Sequence, residues 1–231
     1  MIYVMSDIHG NLDRFQSIMR QIRLGKSDHL YVLGDVIDRY PKGVAILRQL
    51  MKAENVTVLK GNHEFLMEKY YQNTSNLALL DLWYNNGGRC THEAFKHCRK
   101  AIQDETLHFI AQMPLNVTVD VGGTSYLLVH GAPAENYNPR LSRYKTEEAF
   151  AVWQRLYASD PVPDGKTVIF GHTPTSRYQA CKPLRIWRYE NKIGIDCGCG
   201  SSWGRLACLR LDDGQAFYSE CGTKGEKQED L

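Results

Sequence analysis

Three short apolar runs near the start of the chain end in residues able to bind a metal ion or a phosphate. Asp7 and His9 follow residues 2–5, Asp35, Asp38 and Arg39 follow residues 30–33, and Asn62, His63 and Glu64 follow residues 56–59. Two later runs end similarly, in His130 followed by Gly131 and in His172 preceded by Gly171. Carboxylate oxygen, imidazole nitrogen and amide oxygen, with no thiolate among them, make a donor set suited to manganese, iron or zinc. The number of donors calls for two ions. Asp7, His9 and Asp35 suit one, while Asp35, shared between them, joins Asn62, His130 and His172 for the other; paired ions in such sites stand about 3.5 to 4 Å apart. Such a pair lowers the pKa of bound water towards neutrality and clamps phosphoryl oxygens during in-line displacement. Hydrolysis of a phosphate ester is the chemistry that this set predicts.

Taken one at a time, these residues have blander explanations. An aspartate after a strand often caps a helix or shapes a turn, and a lone histidine is more often a packed or surface residue than a ligand. Four of the eight histidines, however, stand beside glycine or asparagine at expected strand ends, and this joint pattern favours converging loops. In an open parallel sheet the crevice outside the carboxyl ends of the strands is where such loops meet a ligand.

The elements that must hold these loops can be read from hydrophobic spacing. Between the first two strands, Leu12, Phe15, Ile18, Met19 and Ile22 fall on one face of a helix, and Val44, Leu47, Leu50 and Met51 do so before the third strand. This β-α-β-α-β alternation predicts an α/β fold with a mostly parallel sheet covered by helices. Residues from 64 to about 112 read as a helical cap, broken at Asn85, Asn86, Gly87 and Gly88. A hairpin over 117–130 turning at Gly122-Gly123 follows, then a helix near 146–158 and strands over 167–170, 184–189, 192–196, 206–211 and 215–218. With no repeat and no composition break, residues 1–222 are expected to form a single catalytic domain, and 223–231 a polar tail.

Composition narrows the classes. In 231 residues, 28 Lys and Arg against 26 Asp and Glu leave a net charge of +2, without the basic excess of a protein that grips nucleic acid through phosphates. No run reaches the roughly 18 apolar residues needed to cross a bilayer, and the first residues read as a strand and not as a secretion signal. A cytoplasmic protein with no membrane partner is therefore expected. Seven cysteines, an odd number, point to reduced thiols over a disulfide framework. The Cys197-Gly198-Cys199 pair invites a metal reading, but Cys181, Cys208 and Cys221 complete no recognised zinc spacing, so a packing role is expected there.

Asp7-Ile8-His9-Gly10, Gly34-Asp35-Val36-Ile37-Asp38-Arg39, Gly61-Asn62-His63-Glu64, His130-Gly131 and Gly171-His172 together resemble the calcineurin-like metallophosphoesterases, and within them the phosphoprotein phosphatase branch. The resemblance spans residues 7 to 172. It implies two mixed β-sheets in a sandwich flanked by helices, with a binuclear centre, most often of manganese, at its edge. It makes Asp7, His9 and Asp35 ligands of one metal, and Asp35, Asn62, His130 and His172 ligands of the other. It makes His63 the general acid for the leaving alcohol, oriented by Asp38, and Arg39 a clamp on the substrate phosphate. Trp153-Gln154-Arg155 and Trp83-Tyr84-Asn85-Asn86-Gly87-Gly88 are similar to stretches of the lambda-type group of small phosphatases, which implies Arg155 as a second phosphate clamp.

Two features bear on the subfamily. His172 is followed by Thr173-Pro174 and not by a second histidine, as in the phosphatase branch and unlike many nucleases of the superfamily. Lys60 stands before Gly61 where relatives commonly have arginine, and a lysine lacks the bidentate fork for phosphate. The implied substrate is a phosphorylated protein or a small phosphoester, with Ser/Thr phosphatase activity first and dual specificity open, acted on by a monomer. Two alternatives stand: a diadenosine tetraphosphatase-like hydrolase, and a binding module that keeps the fold without turnover. The full set of ligand positions and the acid disfavours the second.

Overall fold

The computed structural model describes residues 1–220; the polar tail expected from residue 223, and Cys221, lie outside them. β1 (Ile2–Met5) leads through α1 (Leu12–Ile22) into β2 (His29–Val32), and α2 (Gly43–Met51) leads into β3 (Val56–Val58). In α1, Phe15, Ile18 and Ile22 form the buried stripe that a 3.6-residue period demands. The Asn11 side chain starts this helix by accepting from the Arg14 backbone N–H at 3.1 Å, a cap that contributes about 1 kcal/mol.

The stretch read as a cap holds α3 (Asn62–Gln72), α4 (Leu77–Asn85), α5 (Arg89–Lys96) and α6 (Lys100–Ala111), and the break at 86–88 separates α4 from α5. β4 (Asn116–Val121) and β5 (Thr124–Val129) form the hairpin. After them come α7 (Glu147–Trp153), β6 (Lys166–Phe170), β7 (Trp187–Tyr189), β8 (Lys192–Gly194), β9 (Ala207–Arg210) and β10 (Ala216–Tyr218).

These strands make two five-stranded sheets, ordered β10-β9-β1-β2-β3 and β4-β5-β6-β8-β7. In the first, β1, β2 and β3 run parallel while β9 joins β1 antiparallel. In the second, β5, β6 and β8 run parallel and antiparallel strands β4 and β7 close the edges. The mostly parallel sheet expected from spacing is thus corrected to two mixed sheets, as the family resemblance implied. Side chains alternate across each strand, so each sheet has two apolar faces to cover. Val4, Leu33, Leu59 and Leu209 from the first sheet pack with Leu128, Ile169 and Ile193 from the second, forming the layer between them. The outward Tyr3 and Met5 join Phe15, Leu47, Leu66, Trp83 and Phe95, so the cap shares a core with the first sheet.

Two expected elements are shorter than their spacing foretold. The helix near 146–158 stops at Trp153, and Gln154 is already extended at φ −70° and ψ 127°. Leu156, 2% exposed, packs on Leu127, Val129, Val168 and Phe170 of the second sheet, and this burial pulls the chain off the helix. Likewise the strand expected from 184 begins only at Trp187, because Leu184 and Ile186 pack with Cys197 and Ala207.

Candidate active site and metal centre

The site lies where β1, β2, β3, β5 and β6 end. Asp7 and His9 follow β1, Asp35, Asp38 and Arg39 follow β2, Asn62 and His63 open α3, His130 follows β5, and His172 follows β6. Among the described residues, eight that are not glycine have positive φ, and six of them are Asp7, His9, Asp35, Asp38, Arg39 and His172. Each such conformation costs on the order of 1–3 kcal/mol and persists only where surrounding bonds impose it. Here the first two strand-end loops are laced together: Asp7 N donates to Gly34 O at 3.1 Å, His9 N to Asp35 O at 2.9 Å and Gly10 N to Val36 O at 2.7 Å. The Glu64 carboxylate clamps the second loop to α3, accepting from the backbone N–H of Asp35 and Val36, both at 2.8 Å, and of Gly61 at 3.1 Å. Burial, reinforced by the Asp35 charge, nevertheless pushes the Glu64 carboxyl up to about 7. Gly171 permits the last approach: a Cβ there would collide with Ser6 Oγ and the Asp7 carboxylate.

Asp35 faces two ways. Its Oδ2 lies 3.8 Å from His9 Nε2, while its Oδ1 lies 3.4 Å from His130 Nε2. On the first side Asp7 Oδ1 stands 4.0 Å from His9 Nε2. On the second, Asn62 Oδ1 stands 3.1 Å from His130 Nε2 and 2.8 Å from His172 Nδ1. The Nδ1 of His9 lies 3.2 Å from Ile37 O, and that of His130 lies 2.6 Å from Leu33 O. A carbonyl can only accept, so each Nδ1 carries the proton and each neutral ring turns the lone pair of its Nε2 inward. Lone pairs then face carboxylate and amide oxygens with no proton between them, an arrangement that fits cations. The buried carboxylates of Asp7, Asp35 and Asp196 gathered here make the same demand, since buried charge needs opposite charge nearby.

The protonation pattern follows from this crowding. Burial, with the Asp196 and Asp35 charges, raises Asp7 well above the usual carboxylate range. Burial would raise Asp35 too, but His130, His63, His9 and His172 together hold it below that range. Burial lowers His9 and His130 and brings His172 down to about 3.

His63 sits apart from this pattern. Burial would lower it, but the carboxylates of Asp35 and Asp38 more than offset that and raise it. Its Nδ1 lies 2.7 Å from Asp38 Oδ2, and its Nε2 lies 3.7 Å from Asp35 Oδ2 and 3.4 Å from Arg39 Nη2. His9, Asp35 and His63 are close enough to share an ion, as are Asp35, His130 and His172. The Arg39 guanidinium beside His63 Nε2 repels a cation there and argues against ligation by that ring, while the Asp35 and Asp38 carboxylates are what favour its proton.

Asp7, His9, Asp35, Asn62 and His172 floor a cleft of about 320 Å³, with Arg39 and Arg155 among its walls. His130, His63 and Asp38 lie buried behind that floor, at 1%, 1% and 0% exposure. Arg155 Nη1 is buried without a hydrogen-bond partner, a spare donor for an anion. All ten residues singled out in the sequence are therefore brought together.

Spacing missed several others. Trp83, to which the sequence assigned no role of its own, donates its indole N–H to Asp38 Oδ2 at 2.8 Å. Asp196 lines the cleft, where burial pushes it up to about 6. Lys60 does not reach the cleft at all: it pairs with Glu68 at 2.7 Å and Glu148 at 2.8 Å, joining α3 to α7. Its neighbours Glu68 and Glu148 carried no motif to announce this. Cys197 and Cys199 are buried thiols pushed up to about 12 by burial, consistent with packing.

Known proteins share this arrangement of sequence and fold. Serine/threonine-protein phosphatase 2 of Escherichia coli K12 is 26% identical over 222 residues, covering 91% of this chain and 92% of that one. The symmetrical bis(5'-nucleosyl)-tetraphosphatase of Acidovorax ebreus is 31% identical over 132 residues, covering 56% of this chain and 43% of that enzyme, so the match spans less than half of the relative's length. A solved protein serine/threonine phosphatase from Saccharomyces cerevisiae shares the fold with a TM-score of 0.62 at 14% identity, covering 98% of this chain and 82% of that one. The calcineurin-like phosphoesterase profile matches residues 1–211, a span that takes in every strand-end loop of the cleft and both sheets except β10; the chain belongs to the calcineurin-like phosphoesterase family.

Proposed function

We propose that this phosphoesterase hydrolyses phosphate monoesters as a metal-dependent Ser/Thr protein phosphatase, with phosphotyrosine as a second class of substrate. The observation that carries the reading is the two-sided Asp35 carboxylate, set between inward-facing lone pairs of His9 on one side and of His130 with Asn62 on the other. Asp7, His9 and Asp35 would hold one divalent ion, and Asp35, Asn62, His130 and His172 a second; three oxygen and three imidazole donors suit Mn²⁺, which we place first, and also Fe or Zn. Bound there, two such ions supply an activated water and neutralise phosphoryl charge.

The chain's own residues do the rest. Arg39 and Arg155 hold the phosphoryl oxygens through paired N–H donors, aligning phosphorus for attack from the cleft floor. An oxygen of water bonds to phosphorus as the ester P–O bond breaks; one water hydrogen stays on the new P–OH and the other leaves to solvent, from which His63 regains the proton it gives. His63, its Nδ1 anchored on Asp38, delivers the Nε2 proton to the departing alcohol oxygen. Water being the nucleophile, no phosphoenzyme forms. Support for a protein substrate comes from the phosphatase relative matched over 92% of its length. The tetraphosphatase relative is matched over 43% of its length, and it motivates the competing substrate in the test.

The test is a hydrolysis panel after chelation and Mn²⁺ restoration: para-nitrophenyl phosphate, phosphoserine/phosphothreonine and phosphotyrosine peptides, and diadenosine tetraphosphate, with metal content measured alongside. Peptide turnover restored by Mn²⁺ and lost in His63→Ala is expected. Preference for the dinucleotide would replace the protein substrate, and no turnover with two ions bound would favour a binding role.

A further inference from the structure

Of the four tryptophans, Trp83 and Trp187 are 0% and 9% exposed, and Trp153 is half-buried. Trp203 alone stands out, 56% exposed on the rim of the cleft. Its loop is tightly held. Ser201 N donates to Gly198 O at 2.9 Å, Gly204 N to Ser201 O at 3.1 Å and Arg205 N to Cys197 O at 3.0 Å. From α1, the buried Arg14 guanidinium donates to Cys199 O at 2.7 Å, Ser201 O at 2.9 Å and Ser202 O at 3.3 Å.

The indole itself rests on Gly198, whose φ is +76°. A Cβ there would come within 2.9 Å of Trp203 Cζ3 and 3.1 Å of Cη2, so a hydrogen is what lets the ring settle. Three residues before the indole, Gly200 packs so closely on Arg39 that a Cβ would strike the guanidinium and the His9 ring. One rigid loop thus touches the arginine assigned to the phosphate and carries a largely bare aromatic ring to the mouth of the same cleft.

We infer that Trp203 forms a ring-stacking subsite for the leaving group, which adds to the binding of phosphate monoesters of aromatic alcohols and so admits phosphotyrosine as the second class of substrate beside phosphoserine and phosphothreonine. The inference rests on the phosphomonoesterase reading above and deepens it. In an aryl ester the ring is bonded directly to the oxygen that departs, so it must lie beside the held phosphate. Offset stacking on an indole seated on Gly198 in a hydrogen-bonded loop gains affinity for a ring, whereas a serine side chain presents no face to stack.

The experiment compares wild type, Trp203→Ala and Trp203→Phe on phenyl phosphate and on phosphotyrosine and phosphoserine peptides of matched flanks. Phenylphosphonate, which cannot be hydrolysed, serves as a binding probe through indole fluorescence. Trp203→Ala is expected to lower the aryl-to-alkyl ratio of kcat/KM about tenfold, mostly through KM of the aryl esters, and Trp203→Phe to restore most of it. Phenylphosphonate should quench wild-type emission, with that component missing in Trp203→Phe. An unchanged ratio in Trp203→Ala, with its Tm retained, would overturn the subsite. With diadenosine tetraphosphate assayed on the same three proteins, an effect confined to it would also overturn the subsite, by giving the ring to a purine. If wild type turned over no monoester while phenylphosphonate still quenched Trp203, the phosphomonoesterase reading would fail and the aromatic subsite would stand.

Discussion

Trp83 donates its indole N–H to Asp38 Oδ2 at 2.8 Å, and that same oxygen lies 2.7 Å from His63 Nδ1. The donor belongs to α4 in the cap and the acceptor to the loop after β2, so the cap helps to aim the ring assigned as the acid. Trp83→Phe keeps the ring in its buried slot and removes only the N–H. Because partners at this remove tune activity by roughly 10- to 100-fold, kcat is expected to fall about tenfold with KM nearly constant. A fall in KM together with kcat, or no change in either, would contradict a positioning role.

Removing an inward lone pair should empty one side of the centre. In His130→Ala and in Asn62→Ala, bound metal is expected to drop from two ions per chain towards one, measured by elemental analysis after equilibration with Mn²⁺. His63→Ala should instead keep both ions and lose turnover by about 10²- to 10⁴-fold, the usual worth of a general acid. Loss of metal in His63→Ala would move that ring into the ligand set.

Lys60 is 3% exposed and bridges Glu68 and Glu148. Lys60→Met is expected to destabilise the fold by about 2–4 kcal/mol, somewhat below the cost of breaking a fully buried pair, since Glu148 is partly exposed. Its consequence for function runs through α7, whose end carries Arg155 to the cleft, so KM should rise more than kcat falls. Denaturant titration and steady-state kinetics separate the two effects.

The same bridge has a signed pH dependence. Burial would raise Glu148, but its bonds to Lys60 and Lys69 more than offset this and hold it below its ordinary value. Its contribution is therefore present above the unfolded glutamate pKa of about 4.3 and lost as pH falls through the lower folded value. The stability difference between wild type and Glu148→Gln, measured by urea unfolding, should shrink on acidification below pH 4.3 and be flat from pH 5 to 8.

Cys197, Cys199 and Cys208 are buried, the first two pushed up to about 12, while Cys90, Cys98 and Cys181 are half-buried. Thiolate is the reactive form. Iodoacetamide at pH 7.5 is expected to label Cys181, Cys98 or Cys90 in the folded protein and to reach Cys197 and Cys199 only in urea, as read by peptide mass spectrometry. Rapid native labelling of Cys197 would instead indicate an accessible redox thiol.

By itself the sequence determined the order and type of most elements and the identity of the residues that converge. Apolar periods of two and 3.6 report which face of a strand or helix is buried, and Asp7, His9, Asp35, Asn62, His130 and His172 announce themselves because each stands at a strand end or a helix start beside a small or polar neighbour. A period names a buried face without naming what covers it. Only the tertiary structure therefore decided that β9 pairs with β1, where spacing alone pointed to one mostly parallel sheet, that Leu156 ends α7 early, and that Lys60 meets glutamates away from the cleft. The Trp83–Asp38 bond and the seat of Trp203 on Gly198 belong to the same class, contacts between residues distant in sequence or fixed by a loop's path, for which local spacing carries no signal.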